Sequence, residues 1–306
     1  MQWSKRGLIY VADGRQPWSQ THAMIPTPEF LDSETLRVYI SVCDQEGIGR
    51  VSYIDVQADN PGKVLAVASL PILDIGQPGT FDENGVVATS IVTLPDGRKF
   101  LYYVGFELGT RIRYRLLTGL AISEDGGNSF RRVQKTPVLE RSDRELFFRC
   151  GPFVLRENGV FRMWYVAGDR WLNINGKDLP VYTVNYLESQ DGIHWDKQGK
   201  VCIDIQNQNE HGFGRPYIVK HGEKYKMFYS IRVKNLGYRL GYAESYDGID
   251  WVREDELIGM DVSAAGWDAE TVCYSAVIPV NDRYYMFYNG NRFGKTGCGW
   301  AKLVSW

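Results

Sequence analysis

The sequence predicts an all-β chain: a single domain of residues 1–306, built as a five-bladed β-propeller whose ring is closed by the N-terminal strand. Three observations predict it. A strand ending in aromatic residues returns five times, at a period near sixty residues. A Ser-x-Asp-Gly turn followed by an aromatic returns three times. Convincing long amphipathic helices are missing.

The first element is Trp3-Ser4-Lys5-Arg6-Gly7-Leu8-Ile9-Tyr10-Val11. It matches Trp195-Asp196-Lys197-Gln198-Gly199-Lys200-Val201-Cys202-Ile203 in residue type, position by position. It is therefore expected to be an outer strand, the one that the fifth repeat lacks, and its pairing there removes exposed sheet edges. The aromatic strands are Leu36–Ile40, Lys99–Tyr103, Phe161–Tyr165, Tyr225–Tyr229 and Tyr284–Tyr288. With Tyr39, Tyr102, Trp164, Phe228 and Phe287 as anchors, the spacings are 63, 62, 64 and 59. Hairpin turns precede the later anchors: Pro95-Asp96-Gly97, Glu157-Asn158-Gly159, His221-Gly222-Glu223 and Asn281-Asp282. Apolar strands such as Pro152–Leu155 and Pro216–Val219 lead into these turns. The blades are expected near 15–75, 76–140, 141–205, 206–262 and 263–306 plus 1–12.

The turn repeat reads Ser123-Glu124-Asp125-Gly126, Ser189-Gln190-Asp191-Gly192 and Ser245-Tyr246-Asp247-Gly248, trailed by Phe130, Trp195 and Trp251. It resembles the Asp-box of sialidases and related propellers, where it is structural. Asp and Gly suit a tight turn between outer strands, and the aromatic packs between blades.

Composition excludes several classes. Lys+Arg number 35 against 37 Asp+Glu, a net charge of −2, which argues against a nucleic-acid surface. No apolar stretch approaches the ~20 residues of a membrane helix. Residues 1–14 lack the pattern of a signal peptide, so a cytoplasmic location is expected. Five scattered cysteines without a CxxC pair read as reduced thiols. Neither a P-loop nor a strand-GxGxxG-helix unit is present, so no nucleotide cofactor is expected.

Chemistry in a propeller usually sits where the innermost strands begin, at one mouth of the channel. Acids return there at one phase of the repeat. Asp82 and Glu83 lie 20 and 19 residues before their anchor, Glu145 19, Glu210 18, Asp268 19 and Glu270 17. His22 lies 17 before the first anchor, and His211 adjoins Glu210. A five-fold pseudo-axis would bring these positions together. Asp82, Glu83, Glu145, Glu210 and Asp268 are thus the candidate catalytic carboxylates. Arg149 and Arg215, each just before an inner-strand proline, either bind a ligand anion or pair with the acids. Trp171 and Trp267 could stack on a sugar ring. His22, His211, Glu270 and Asn291 complete the candidate binding set.

The repeat, the N-terminal closure and these acids resemble the five-bladed superfamily of arabinanases, levansucrases and invertases (glycoside hydrolase families 43, 32, 68 and 130). His22–Pro28, Gly79–Glu83, Gly266–Glu270 and Met286–Asn291 resemble a subgroup linked to bacterial surface polysaccharides. The resemblance implies a carbohydrate-active enzyme that cleaves or transfers a glycosyl unit between paired carboxylates at the channel mouth. Its ligand would be a small sugar or oligosaccharide, neutral or anionic. The chain departs from families 43 and 32 on the first blade, which carries His22 where they place an Asp. A non-catalytic glycan-binding propeller, a phosphorylase using Arg149 and Arg215, or a lyase, cyclase or epimerase using His22 or His211 are the alternatives. No metal-spacing motif occurs; a divalent ion held by His22 and acids of other blades is the weaker option.

Overall fold

The computed structural model describes all 306 residues. Strand takes up 58% of the chain and helix 3%, so it is nearly all β. β1 (Gln2–Tyr10) opens the chain. A first unit follows: β2 (Thr21–Phe30), β3 (Thr35–Cys43), β4 (Gly49–Gln57) and β5 (Asn60–Val67). The second holds β6 (Val86–Thr93), β7 (Lys99–Leu108), β8 (Tyr114–Ser123) and β9 (Arg131–Arg132). The third holds β10 (Phe148–Glu157), β11 (Val160–Ile174), β12 (Lys177–Ser189) and β13 (Lys200–Ile203). The fourth holds β14 (Glu210–His221), β15 (Lys224–Val233), β16 (Arg239–Ser245) and β17 (Val252–Arg253). The last holds β18 (Cys273–Val280), β19 (Arg283–Asn289) and β20 (Cys298–Ser305). Within each unit the strands pair antiparallel in chain order. A short parallel bridge between β8 and β10 fuses the second and third units into one sheet.

β1 pairs antiparallel with β20, from Gln2 opposite Ser305 to Tyr10 opposite Cys298. The N-terminal strand thus completes the last unit, as its likeness to residues 195–203 predicts. The turn between β10 and β11 is Asn158-Gly159, with φ of 51° and 84°. Left-handed φ at both central residues matches the strand twist, which is why Asn-Gly serves there.

The two sequence repeats interlock. The second strand of each unit is buried on both faces, so its residues read as an apolar run rather than an alternation. Its anchor reaches the Asp-turn of the next unit. Tyr102 donates to the Gly192 carbonyl at 2.8 Å, and Trp164 Nε1 donates to that of Gly248 at 2.7 Å. A Cβ on Gly127 would lie 2.2 Å from the Tyr39 hydroxyl. Within each turn the Asp carboxylate accepts backbone N–H groups, as Asp247 does from Ile249 and Asp250. Those bonds, Asp250 first, hold Asp247 below the usual carboxylate range. The fourth anchor, Phe228, meets no Asp-turn. Trp3 of β1 packs edge-on against it at 6.2 Å, as Trp195 packs on Tyr102 at 6.3 Å.

No helix is long and apolar enough to cross a membrane. All five cysteines are free.

Candidate functional site

All five inner strands carry an irregularity at the same place. Pairing with the second strand skips between Met24 and Thr27, Ala88 and Ser90, Cys150 and Phe153, Gly214 and Tyr217, and Cys273 and Ala276. Such bulges bend a strand and re-aim its side chains. Proline sits in three of them (Pro26, Pro152, Pro216), where no ladder N–H is needed.

Arg215 lies at the convergence of these bulges, buried to 2% exposure. Its guanidinium donates to Pro26 O and Thr27 Oγ1 on β2, Thr89 O on β6, and Tyr274 O and Ser275 O on β18. Gly151 of β10 packs against its backbone. Burial pushes this guanidinium down to about 10, so it stays charged at neutral pH. Arg215 therefore ties the inner strands together.

Above Arg215 lies a two-chambered cavity. The inner chamber, about 90 Å³, is lined by residues that include Thr89, Cys150, Gly151, Tyr182, Arg215, Arg232 and Tyr274. The outer chamber, about 310 Å³, adds His22, Met24, Asn84, Arg113, Tyr114 and Phe293. An aromatic wall backs both: Phe148 meets Tyr182 at 4.6 Å and Trp171 at 5.3 Å, and Trp171 meets Tyr114 at 5.4 Å. No Asp or Glu lines either chamber. His22 Nδ1 lies 2.8 Å from Thr21 Oγ1, and burial, aided by Lys295, lowers its pKa. That favours the neutral imidazole. Burial pushes the Cys43 and Cys150 thiols up to about 12, so both stay protonated.

The acids found by phase are not brought together here. Asp82, Glu145, Glu210 and Asp268 are each buried inside their own unit. Asp82 accepts from Thr80 Oγ1 (2.8 Å), Tyr103 OH (2.9 Å) and Arg132 Nε (2.7 Å). Glu145 accepts from Tyr165 OH (2.8 Å), Asn185 Nδ2 (2.9 Å) and Gly199 N (3.2 Å). Asp268 accepts from Tyr288 OH (3.1 Å) and Lys5 Nζ (2.7 Å). Glu210 takes a two-pronged bond from Arg253, which also holds Asp255, the acceptor for Tyr229. The tyrosine is in every case the residue after the anchor. The first unit has Ile40 in that place, and Ser19 where the acid would stand. The recurrence of the four buried acids thus has a structural cause. Asp82, Glu145 and Asp268 fasten the loop entering a unit to the tyrosine of its second strand, and Glu210 reaches that tyrosine through Arg253 and Asp255. In three units the acid also binds a cation of the outermost strand.

The other candidates divide similarly. Glu83 accepts from Gly79 N at 2.8 Å, turning back from the outer chamber that its neighbour Asn84 lines. Arg149 Nε lies 2.6 Å from Glu145 Oε2, and its other nitrogens donate to the carbonyls of Glu140 and Asp196. His211 Nδ1 bonds to the Pro180 carbonyl at 3.0 Å, buried behind the wall. Trp267 stacks on Tyr288 at 5.1 Å inside the last unit. Asn291 Oδ1 accepts from the backbone N–H of Glu270 and Thr271, and the Glu270 carboxylate is exposed near Arg292. Trp171 stands one layer behind the cavity. Only His22 and Arg215 line it. No group of three or more His, Cys, Asp or Glu side chains comes together.

Comparison with known proteins sets this chain in a family. The chain is 34% identical over 303 residues, 99% of both chains, to the uncharacterized protein Rv1502 of Mycobacterium tuberculosis (strain ATCC 25618 / H37Rv). The match to the uncharacterized protein MT1551 of strain CDC 1551 / Oshkosh has the same identity and extent. The chain belongs to the family of these mycobacterial proteins. No protein-family model matches it. Among solved structures, a glycoside hydrolase matches with a TM-score of 0.73 at 19% identity, covering 98% of this chain and 92% of that one. A thermostable family-43 glycoside hydrolase matches at 0.68 and 15%, covering 94% and 90%. The Bombyx mori family-32 β-fructofuranosidase BmSUC1 matches at 0.61 and 15%, covering 94% and 62%. The family therefore has the fold of the propeller glycoside hydrolases.

Sequence reasoning missed Arg232, Tyr182, Tyr238, Tyr274, Arg113 and Tyr114. Two phases of the repeat carry a signal for the cavity. Thr89, Gly151, Arg215 and Tyr274 each lie 13 residues before their anchors, and Cys43, Phe106 and Arg232 lie four after theirs.

Proposed function

We propose that the protein is a sugar-binding propeller, one domain of five blades closed by β1, which holds a sugar or short oligosaccharide in the two-chambered cavity. Backbone strain carries this reading. Apart from Asn and Gly, five residues have left-handed φ: His22 (68°), Ile25 (51°), Tyr274 (52°), Arg292 (52°) and Phe293 (60°). Four of them line the outer chamber. Each such conformation costs about 1–3 kcal/mol and persists where function requires it. A concave aromatic wall with a few polar groups is what a small-ligand site needs. The fold shared with glycoside hydrolases supports a carbohydrate as the ligand class.

Glycosyl cleavage between two carboxylates requires an acid pair about 5–5.5 Å apart for retention, or about 6.5–9.5 Å for inversion, across the ligand. Asp82, Glu145, Glu210 and Asp268 are engaged within the units, and no Asp or Glu lines the cavity. Recognition without that cleavage is therefore the reading we favour. A phosphate on Arg149 or Arg215 would have to displace Glu145 or the inner-strand carbonyls, which counts against phosphorolysis there. Acid–base chemistry on a sugar-like metabolite is the second reading, favoured by the neutral imidazole of His22 in the strained chamber.

Calorimetric titration with a panel of mono- and oligosaccharides tests the proposal, alongside turnover of the matching aryl glycosides. Binding is expected in wild type, lost in Tyr114→Ala and retained in Asp82→Asn and Glu145→Gln, without aryl-glycoside cleavage. Turnover that disappears in folded Asp82→Asn or Glu145→Gln would overturn it.

A further inference from the structure

We propose that the inner end of the cavity is an anion subsite in which Arg232 receives the carboxylate of an acidic sugar; this rests on the sugar-binding reading above. Arg232 lies on β15 and lines both chambers. Its guanidinium carbon stands 4.5 Å from the centre of the Tyr182 ring and 5.0 Å from that of Tyr238. Two aromatic faces thus hold the cation in place.

The cation has no protein counter-charge. The titratable groups that act on it most are Tyr238, Tyr182, Tyr274 and Tyr114, all neutral phenols at neutral pH. Its Nε, sealed from solvent, has no hydrogen-bond partner, and neither do the hydroxyls of Tyr182 and Tyr238. Arg149 and Arg215 also have an unpartnered Nε, but the other enclosed arginines have a counter-charge or partners for their remaining nitrogens. Arg37 holds Asp55, Arg149 holds Glu145, Arg253 holds Glu210 and Asp255, and Arg215 holds carbonyls. A charge and donors withdrawn from water without partners are costly, and a ligand that supplies a negative charge and acceptors relieves that cost.

The surroundings agree in sign. Arg113 and His22 line the outer chamber, and no Asp or Glu lines either one. A guanidinium fork matches the two oxygens of a carboxylate. The inner chamber, about 90 Å³, is several times the ~10–15 Å³ that one water needs. It has room for a carboxylate or a phosphate group. A sugar phosphate offers the same charge and acceptors as a uronic acid, and the test separates the two.

Calorimetric titration compares glucuronate and galacturonate with glucose and galactose, and adds glucose 6-phosphate and inorganic phosphate. The uronates are expected to bind at least tenfold more tightly than the matched neutral sugars. That preference should vanish in Arg232→Gln, with folding checked by circular dichroism. It should shrink in Arg113→Ala, whose side chain is on an exposed hairpin, and in high salt. An Arg232-dependent preference for glucose 6-phosphate over the uronates supports the subsite with phosphate as its anion. Equal binding of neutral and acidic sugars, or full acid preference in folded Arg232→Gln, overturns the subsite and leaves the sugar-binding reading standing. Arg232-dependent binding of inorganic phosphate with no sugar bound overturns the sugar-binding reading and retains the subsite.

Discussion

Replacing Asp82 by Asn separates a fastening carboxylate from a catalytic one. The side chain is completely buried, and three donors converge on it at 2.7–2.9 Å. Asn keeps the shape. Its amide nitrogen can face Thr80, whose hydroxyl can turn to accept, while its oxygen keeps Tyr103 and Arg132. What disappears is the negative charge opposite Arg132. Breaking a buried pair by neutralising one member costs about 3–5 kcal/mol. The Arg132 side chain is 23% exposed, and water there reduces the loss to about 2–3 kcal/mol. At about 2 °C per kcal/mol for a chain of this size, the melting temperature should drop by roughly 4–6 °C. Tyr103→Phe alone should cost about 1 kcal/mol. The double variant should lose less than the sum of the two, because both changes act on one network. Calorimetric melting gives all three values. The reasoning fails if Asp82→Asn melts with wild type yet loses binding or turnover, since the carboxylate would then serve the ligand.

Two further outcomes follow from the pairing of β1 with β20 and from one buried imidazole. Trp3→Ala removes the ring that packs on Phe228, and a buried Trp→Ala change costs about 3–5 kcal/mol. The first cooperative loss on heating should then be the pairing of β1 with β20, read as early hydrogen exchange of residues 2–10. Burial lowers the pKa of His211, as do Arg232 and Lys234, against the opposing bond to Pro180. The unfolded chain therefore takes up a proton first, near pH 6.5. Stability should be complete above that pH and decline as pH falls below it. His211→Gln should make that decline shallower, as urea midpoints at pH 7.5, 6.5 and 5.5 would report.

The sequence makes the architecture legible where one position does one job in every repeat. Trp3 aligns with Trp195 because both occupy the same slot over an anchor of another unit. The anchors and Asp-turns recur because each pair forms a contact between units. The same regularity misdirects attention at Asp82, Glu145, Glu210 and Asp268. Their phase is conspicuous because they repeat, and they repeat because each ties to the tyrosine after its anchor, Glu210 through Arg253 and Asp255 and the others directly. A ligand site has no need of five-fold sameness. Ile25, Thr89, Gly151, Arg215 and Tyr274 occupy equivalent bulges with five unlike side chains, so pattern matching passes over them. Arg232 is harder still, since its meaning lies in what it lacks. A missing carboxylate partner becomes visible only when Tyr182 of β12, Tyr238 just before β16 and Tyr274 of β18 are in place.

The pairing of β1 with β20 orders events in time. The first strand made must wait for the last one. At about 5–20 residues per second, the stretch from Tyr10 to Cys298 takes roughly 15–60 s to synthesise. Throughout that interval Trp3 has no Phe228 seat with a finished sheet beside it, and the edge that β1 will fill does not yet exist. The earlier units can pair locally as they emerge, whereas the last seam closes across nearly the whole chain. A loop of that length adds only about (3/2)RT ln n to the entropy of closure, so the delay is set by synthesis and not by search. Ribosomes that stop before β20 release chains in which β1 and its Trp3 have no partner strand, a ready mark for chaperones and proteases to read.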